Sequence, residues 1–244
     1  MLILFFSGSV LGWCIETVFR RFSPANKSRK WINPGFLTGP YLPIYGFGVT
    51  ALYILSNLEA IIPHPDGIFS KIILILVMTA SMTLLELFAG LIFVCGMNLK
   101  LWDYSQKPFN YKGIICLEFS VYWMILSIIY YFFLHERIVL LIDTVATNLP
   151  AAFSIGALMG IFLVDFGYSM HIATKIRSFA AENGILVRYE ELKRNICRHA
   201  EETKERYCFI FAFGSKIPLH EHLTRYVDMT FKKFKDARHG EGNK

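Results

Sequence analysis

The sequence predicts an all-α integral membrane protein, and three observations carry that prediction. Apolar residues make up 54% of the 244 positions and fall in long blocks, giving a mean hydropathy of +0.42. Charged residues are only 18%, where a soluble domain carries about 25%. The basic residues gather in alternate loops between the apolar blocks. Composition excludes a disordered chain, and five scattered cysteines exclude a disulfide-framed secreted module.

A crossing helix needs about 20 mostly apolar residues, because the hydrocarbon core is about 30 Å thick. Five segments meet this requirement: residues 2–19, 41–58, 71–97, 114–134 and 150–170. The first lacks a preceding basic region and a following small-x-small site, so it reads as a retained helix rather than a cleaved signal. The second is introduced by turn dipeptides at Pro34-Gly35 and Gly39-Pro40, with Pro43 suited to its first turn. Ile138–Leu149 is apolar but only 12 residues long and holds Asp143, so the expectation is a helix lying at the outer surface. Loop 20–40, loop 98–113 and the early tail hold eleven Lys/Arg, and the opposite side holds only Lys71 and Arg137. That asymmetry places the amino terminus outside and the carboxyl terminus in the cytoplasm.

Charge also divides the chain. Residues 1–170 hold 10 Lys/Arg and 9 Asp/Glu, whereas residues 171–244 hold 15 and 10. Two units are expected, a transmembrane domain over 1–170 and a helical, basic cytoplasmic tail over 171–244, interrupted at Asn183-Gly184. The tail's basic residues alternate with Glu, which argues against nucleic acid and for proximity to lipid headgroups.

The intramembrane acids are the candidate functional residues, since charge at depth is costly and faces protein interior or water. Counting 1.5 Å per residue puts Glu16, Glu86, Asp165 and Glu118 in one layer about 21–24 Å from the outer face. Glu16 continues the Gly8–Gly12 stripe, and Glu86 continues Thr79–Thr83 toward Gly90, so both turn toward neighbouring helices. Asp165 lies opposite the Ala152-Gly156-Gly160 ladder. Glu16 also stands four residues before Arg20, the spacing of an ion pair. Tyr45 completes the candidate substrate- or cation-binding set of Glu16, Glu86, Asp165, Tyr45 and Glu118. Trp102-Asp103-Tyr104 reads as an interfacial anchor, and Trp102, Asp103 and Phe109 are the candidate partner contacts. The metal, if one binds, is not specified by any motif, and no cofactor beyond a bound cation is expected in this chain.

Five motifs carry a family resemblance. They are Gly12-Trp13-x-x-Glu16; Asn33-Pro34-Gly35-Phe36-Leu37-Thr38-Gly39-Pro40 continuing into Pro43-Ile44-Tyr45-Gly46; Leu85-Glu86-Leu87 with Gly90; Trp102-Asp103-Tyr104-Ser105-x-x-Pro108-Phe109-Asn110; and Gly113-Ile114-Ile115-Cys116-Leu117. In this order they resemble the bacterial five-helix membrane proteins of the putative ABC-transporter type IV permease family, over about residues 5–170. Glu118 stands where the family pattern has an apolar residue. The resemblance implies a permease subunit of the cell membrane working with a separate cytoplasmic ATPase. No Gly-x-x-x-x-Gly-Lys-Ser/Thr loop occurs, so the chain does not supply that ATPase itself. Two other readings share the same acids: an ion- or proton-coupled carrier of a small cationic solute, and a membrane-embedded enzyme acting on a lipid phosphate. A homo-oligomer in the bilayer is compatible with all three.

Overall fold

The computed structural model describes residues 1–23, 26, 29, 31, 33–57, 67–202 and 218–229, and they are mostly helical. The first helix, α1 (Leu2–Phe22), is antiparallel to α2 (Pro43–Asn57). Their contact depends on missing side chains. A Cβ on Gly12 would sit 2.2 Å from the Tyr45 ring, and one on Gly46 would sit 2.2 Å from the Ser9 hydroxyl. The small-residue stripe of α1 therefore brings the two backbones together, as such stripes do in lipid.

Helix α3 (Ile68–Met97) is about 45 Å long by its rise. It ends at Asn98, whose left-handed conformation (φ 50°) lets its backbone N–H close on the Phe93 carbonyl. A short excursion follows, with strand β1 (Leu99–Lys100) and the hairpin of β2 (Asn110–Tyr111) and β3 (Ile115–Cys116). The chain then enters α4 (Leu117–Ile129), a π-turn over Tyr130–Leu134, and α5 (His135–Ala146).

That continuity corrects one expectation. Ile138–Leu149 is not a separate helix lying at a surface. Residues 117–145 form one apolar helical run of 29 residues, joined through the aromatic π-turn, and Leu149 already begins the next helix. Tyr130 anchors the junction by burying its ring with Trp123, Met78 and Met82, while Ile138 packs against the same cluster. The 12-residue length argument failed because the run was cut at polar His135 and Glu136, which the helix carries through.

Helix α6 (Leu149–Glu182) starts at Asn148, whose side chain accepts from the Ala151 N–H, and Pro150 occupies its first turn. It runs unbroken through residue 170, about 51 Å in all. It ends at Asn183-Gly184, with Gly184 at φ 60°. Strand β4 (Val187–Arg188) then pairs in parallel with β1, Leu99 opposite Val187 and Lys100 opposite Arg188. Helices α7 (Tyr189–Glu202) and α8 (219–229) complete the described tail. One core cluster joins Phe5, Phe36, Tyr41 and Phe162 to Ile176, Leu192, Ile196, Leu223 and Tyr226, so tail side chains pack directly against the membrane helices.

Among the described residues four helical runs are long and apolar enough to cross a bilayer: Leu2–Phe22, Ile68–Met97, Leu117–Val145 and Leu149–Glu182. Large apolar side chains such as Leu11, Ile92, Phe133 and Val164 are left on their outer faces, where lipid would cover them. The protein is a membrane protein. The second expected span is represented by α2 alone, about 22 Å long, and Leu58 lies outside the described residues. The two small-residue stripes also differ: Gly8 and Gly12 touch α2, whereas Gly156 and Gly160 have open space beside them.

Candidate functional site

Residues 33–42 explain why α2 is short. This segment is coil, yet Asn33, Pro34, Phe36, Leu37, Tyr41 and Leu42 are buried. It folds back beside α1, with the Leu42 N–H donating to the Ser9 carbonyl (2.9 Å) and the Trp13 indole donating to Asn33 Oδ1 (2.7 Å). Those contacts set α2 starting near the middle of α1 rather than at its end. Coil packed among apolar helices needs protein to satisfy its backbone, and here the donors and acceptors can be traced. The Thr38 and Gly39 N–H groups donate to the Asp165 carboxylate at 3.3 and 2.8 Å. Asn33 Nδ2 donates to the Thr38 carbonyl (3.0 Å). From α7, Tyr189 Oη donates to the Phe36 carbonyl (3.1 Å), and Lys193 Nζ donates to the carbonyls of Asn33 (3.1 Å) and Gly35 (3.3 Å).

The α7 donors are adjusted by their surroundings. Burial pushes the Tyr189 phenol well above its ordinary value, so it stays a donor at any physiological pH. Burial, with the nearby Arg20 charge, brings the Lys193 ammonium down to about 8.

A second network joins α1, α2, α3 and α4. Tyr45 Oη donates to Glu16 Oε2 (3.1 Å), and the Tyr45 ring lies 5.5 Å from the Trp123 ring. Trp123 Nε1 donates to Glu86 Oε2 (2.9 Å), and Tyr104 Oη donates to Glu86 Oε1 (3.0 Å). Glu86 is buried, as its Thr79–Thr83–Gly90 stripe predicts, and its neighbours here are neutral donors. Glu16 is compensated instead: Arg20 Nε lies 2.8 Å from Glu16 Oε1, and the same guanidinium pairs with Glu190 of α7.

The structure thus brings Glu16, Tyr45 and Glu86 into one contact chain and adds Trp123 and Tyr104 to it. Asp165 is not in that chain; it is occupied by the backbone of the 33–42 coil and by Ser169 Oγ at 3.4 Å. Glu118 is also apart, half-exposed and 2.8 Å from Lys107. Asp103 sits under its own loop, 2.7 Å from Lys100 and 3.2 Å from Arg188 of the tail. Partial burial alone would raise its carboxyl, but hydrogen bonds from Lys100 and Ser105 and the ammonium charge outweigh that and hold it at about 2. Trp102 is fixed by donating to the Ile114 carbonyl (2.7 Å). Tyr104 turns inward to Glu86 rather than outward to the interface, which corrects its reading as an anchor. Phe109 is 83% exposed and directly precedes β2. Among the described residues no three His, Cys, Asp or Glu side chains gather as a metal site.

Asn33, Thr38, Gly39, Tyr45, Glu86 and Tyr104 of these networks belong to the five sequence motifs, whereas Trp123, Asp165, Tyr189 and Lys193 do not. A family model described as "Putative ABC-transporter type IV" matches residues 3–170. The chain belongs to this family. No curated protein and no solved structure matches it. Within this member of the ABC-transporter type IV family, α1, the 33–42 coil, Glu86, the 98–116 excursion and Asp165 all lie inside the matched region. Tyr189, Glu190 and Lys193 lie beyond it, yet they contact the Asn33–Phe36 stretch and Arg20 directly.

Proposed function

We propose that the chain is the membrane-embedded permease subunit of a transporter driven by a separate ATPase. The observation that carries this reading is the buried 33–42 coil at membrane depth, which interrupts the path into α2 beside the Glu16–Tyr45–Glu86 chain. Broken helices at depth are a recurrent way to line a substrate path, because they offer backbone groups and acids away from lipid. In this reading Glu86, Glu16 and Tyr45 face the transported species, a cation or a solute with a cationic group. Asp165 holds the coil that forms the floor of the path.

The topology that fits this function has five crossings, with α2 and its coil together making the second. The amino terminus is then outside the cell membrane and the tail is cytoplasmic, in keeping with the Lys/Arg asymmetry. The 98–116 excursion and α7 lie on the cytoplasmic side, where the exposed Phe109 ring offers an ATPase a contact and Trp102 and Asp103 keep the excursion rigid. Gly156 and Gly160 leave room for a second copy of the chain. Residues 1–170 form the permease unit, and the tail braces it from below.

The test is purification of the tagged full chain from its native membranes under mild detergent. An ATP-hydrolysing subunit should co-purify, and reconstituted transport should require ATP. Transport by the lone chain, driven by a proton gradient and indifferent to ATP, would replace this reading with the carrier.

A further inference from the structure

A groove of about 510 Å³ runs along α1, lined by Trp13, Cys14, Thr17, Val18 and Trp31. That size falls in the range of ligand clefts, about 300–1,000 Å³. Its wall is apolar although it contains a threonine and two indoles, because the Thr17 hydroxyl and the Trp13 indole N–H are spent inside the protein. Thr17 Oγ1 donates to the Trp13 carbonyl (2.7 Å), and the Trp13 indole N–H goes to Asn33. Along α1 the groove covers about 12 Å from Trp13 to Arg21, close to the hydrocarbon thickness of one leaflet, about 15 Å.

The C-terminal end of the groove is cationic. The Arg21 guanidinium lies 4.2 Å from the Trp31 ring centroid and donates to the Arg29 carbonyl (2.7 Å). Arg29 is exposed and stands over the Phe22 ring at 5.8 Å. Among the described residues neither arginine has a carboxylate partner, in contrast to Arg20 one position earlier, which is held by Glu16 and Glu190. Two guanidiniums without counter-charge at headgroup level, above an apolar slot, complement a single amphiphilic anion.

We propose that this groove binds an anionic phospholipid, its acyl chain between Trp13, Val18 and Trp31 and its phosphate at Arg21 and Arg29. Arginine suits this role because its planar fork matches phosphate oxygens and stays charged at every relevant pH. The site is independent of what the permease transports and of the ATPase.

The test uses the purified full chain in mild detergent and its tryptophan fluorescence. Phosphatidylglycerol with brominated acyl chains should quench at lower lipid fraction than brominated phosphatidylcholine, and Trp31→Phe should remove much of that difference. Arg21→Gln and Arg29→Gln should each weaken the preference about fivefold. Cys14→Phe, which fills the groove but keeps both arginines, should lose the preferential quenching. On the unaltered protein, unlabelled phosphatidylglycerol should reverse the quenching while inorganic phosphate should not. Equal quenching by the two lipids, a preference that survives both arginine substitutions, full quenching in Cys14→Phe, or displacement by phosphate alone would each overturn the proposal.

Discussion

Glu86 and Asp165 are carboxylates on long apolar helices, yet their surroundings are opposite in kind. Asp165 accepts two backbone N–H groups of a coil that would otherwise leave them without this acceptor. Glu86 accepts from Tyr104 and Trp123, two neutral side chains whose own helix and loop would keep their backbones paired without it. Removing Asp165 therefore strips the fold, whereas removing the Glu86 charge leaves the fold with its backbone bonds intact. A carboxylate on an apolar helix is costly in either place; the identity of the donors is what separates a brace from a candidate site.

The comparison breaks most visibly at Asp165. Asp165→Ala should destabilise the chain by about 3 kcal/mol, since two backbone donors to a charged acceptor lose their partner in a dry environment. That corresponds to a fall in Tm of roughly 6–12 °C for a chain of this size. Asp165→Asn keeps one acceptor and should fall between the two. A thermal shift below about 2 °C for Asp165→Ala would show that the coil does not depend on this carboxylate.

Lys193 braces the same coil from the tail, and its effect depends on pH. In the folded chain its ammonium loses a proton near pH 8, whereas the unfolded chain holds that proton to about 10.5. Between those values unfolding takes up a proton, so stability should rise with pH, by up to about 1.4 kcal/mol per unit. The neutral amine still has N–H groups for the Asn33 and Gly35 carbonyls. Below about pH 8 both states are protonated and this slope vanishes. Lys193→Met should flatten the Tm-against-pH curve above pH 8; an unchanged curve would mean that α7 is not clamped through this residue.

At the site itself, Glu86→Gln should lower partner-coupled ATP hydrolysis about tenfold or more, the cost of one lost charge-assisted contact. Full coupling in that variant would remove Glu86 from the transport path. The smallest stability effect is expected at Phe109. Phe109→Ala removes an exposed ring and should change stability by less than about 0.5 kcal/mol. It should nonetheless weaken ATPase association in a pull-down, and unchanged association would take the hairpin out of the interface.

Some of this was legible in the sequence because hydropathy is local. The long apolar runs of α1, α3, α4 and α6 mark themselves, and the family motifs identify the chain. The burial of Glu86 followed from the small-polar stripe around it, a signal contained in one helix. The rest depends on contacts between distant segments. Asp165 finds its donors 126 and 127 residues away in a coil, so no periodicity in α6 reveals its role. Trp123 looked like any apolar aromatic of a spanning helix, and Tyr104 like a headgroup anchor, until the fold turned both onto Glu86. The π-turn at Tyr130–Leu134 was hidden because an aromatic run carries no mark of a wider helical turn. Lys193 and Tyr189 sit in a tail outside the motif region, where charge patterning pointed only to solvent and lipid headgroups.

The most direct test is thermal denaturation of Glu86→Gln and Asp165→Ala side by side, in one detergent at matched protein concentration. In Glu86→Gln the amide oxygen still accepts from Trp123 and the amide nitrogen can donate to the Tyr104 oxygen, while the buried charge disappears. Its Tm should therefore stay within about 2 °C of the parent or rise, while that of Asp165→Ala falls by roughly 6–12 °C. Equal losses in the two variants, or a loss confined to Glu86→Gln, would contradict the division between a structural acid and an acid kept for the transported species.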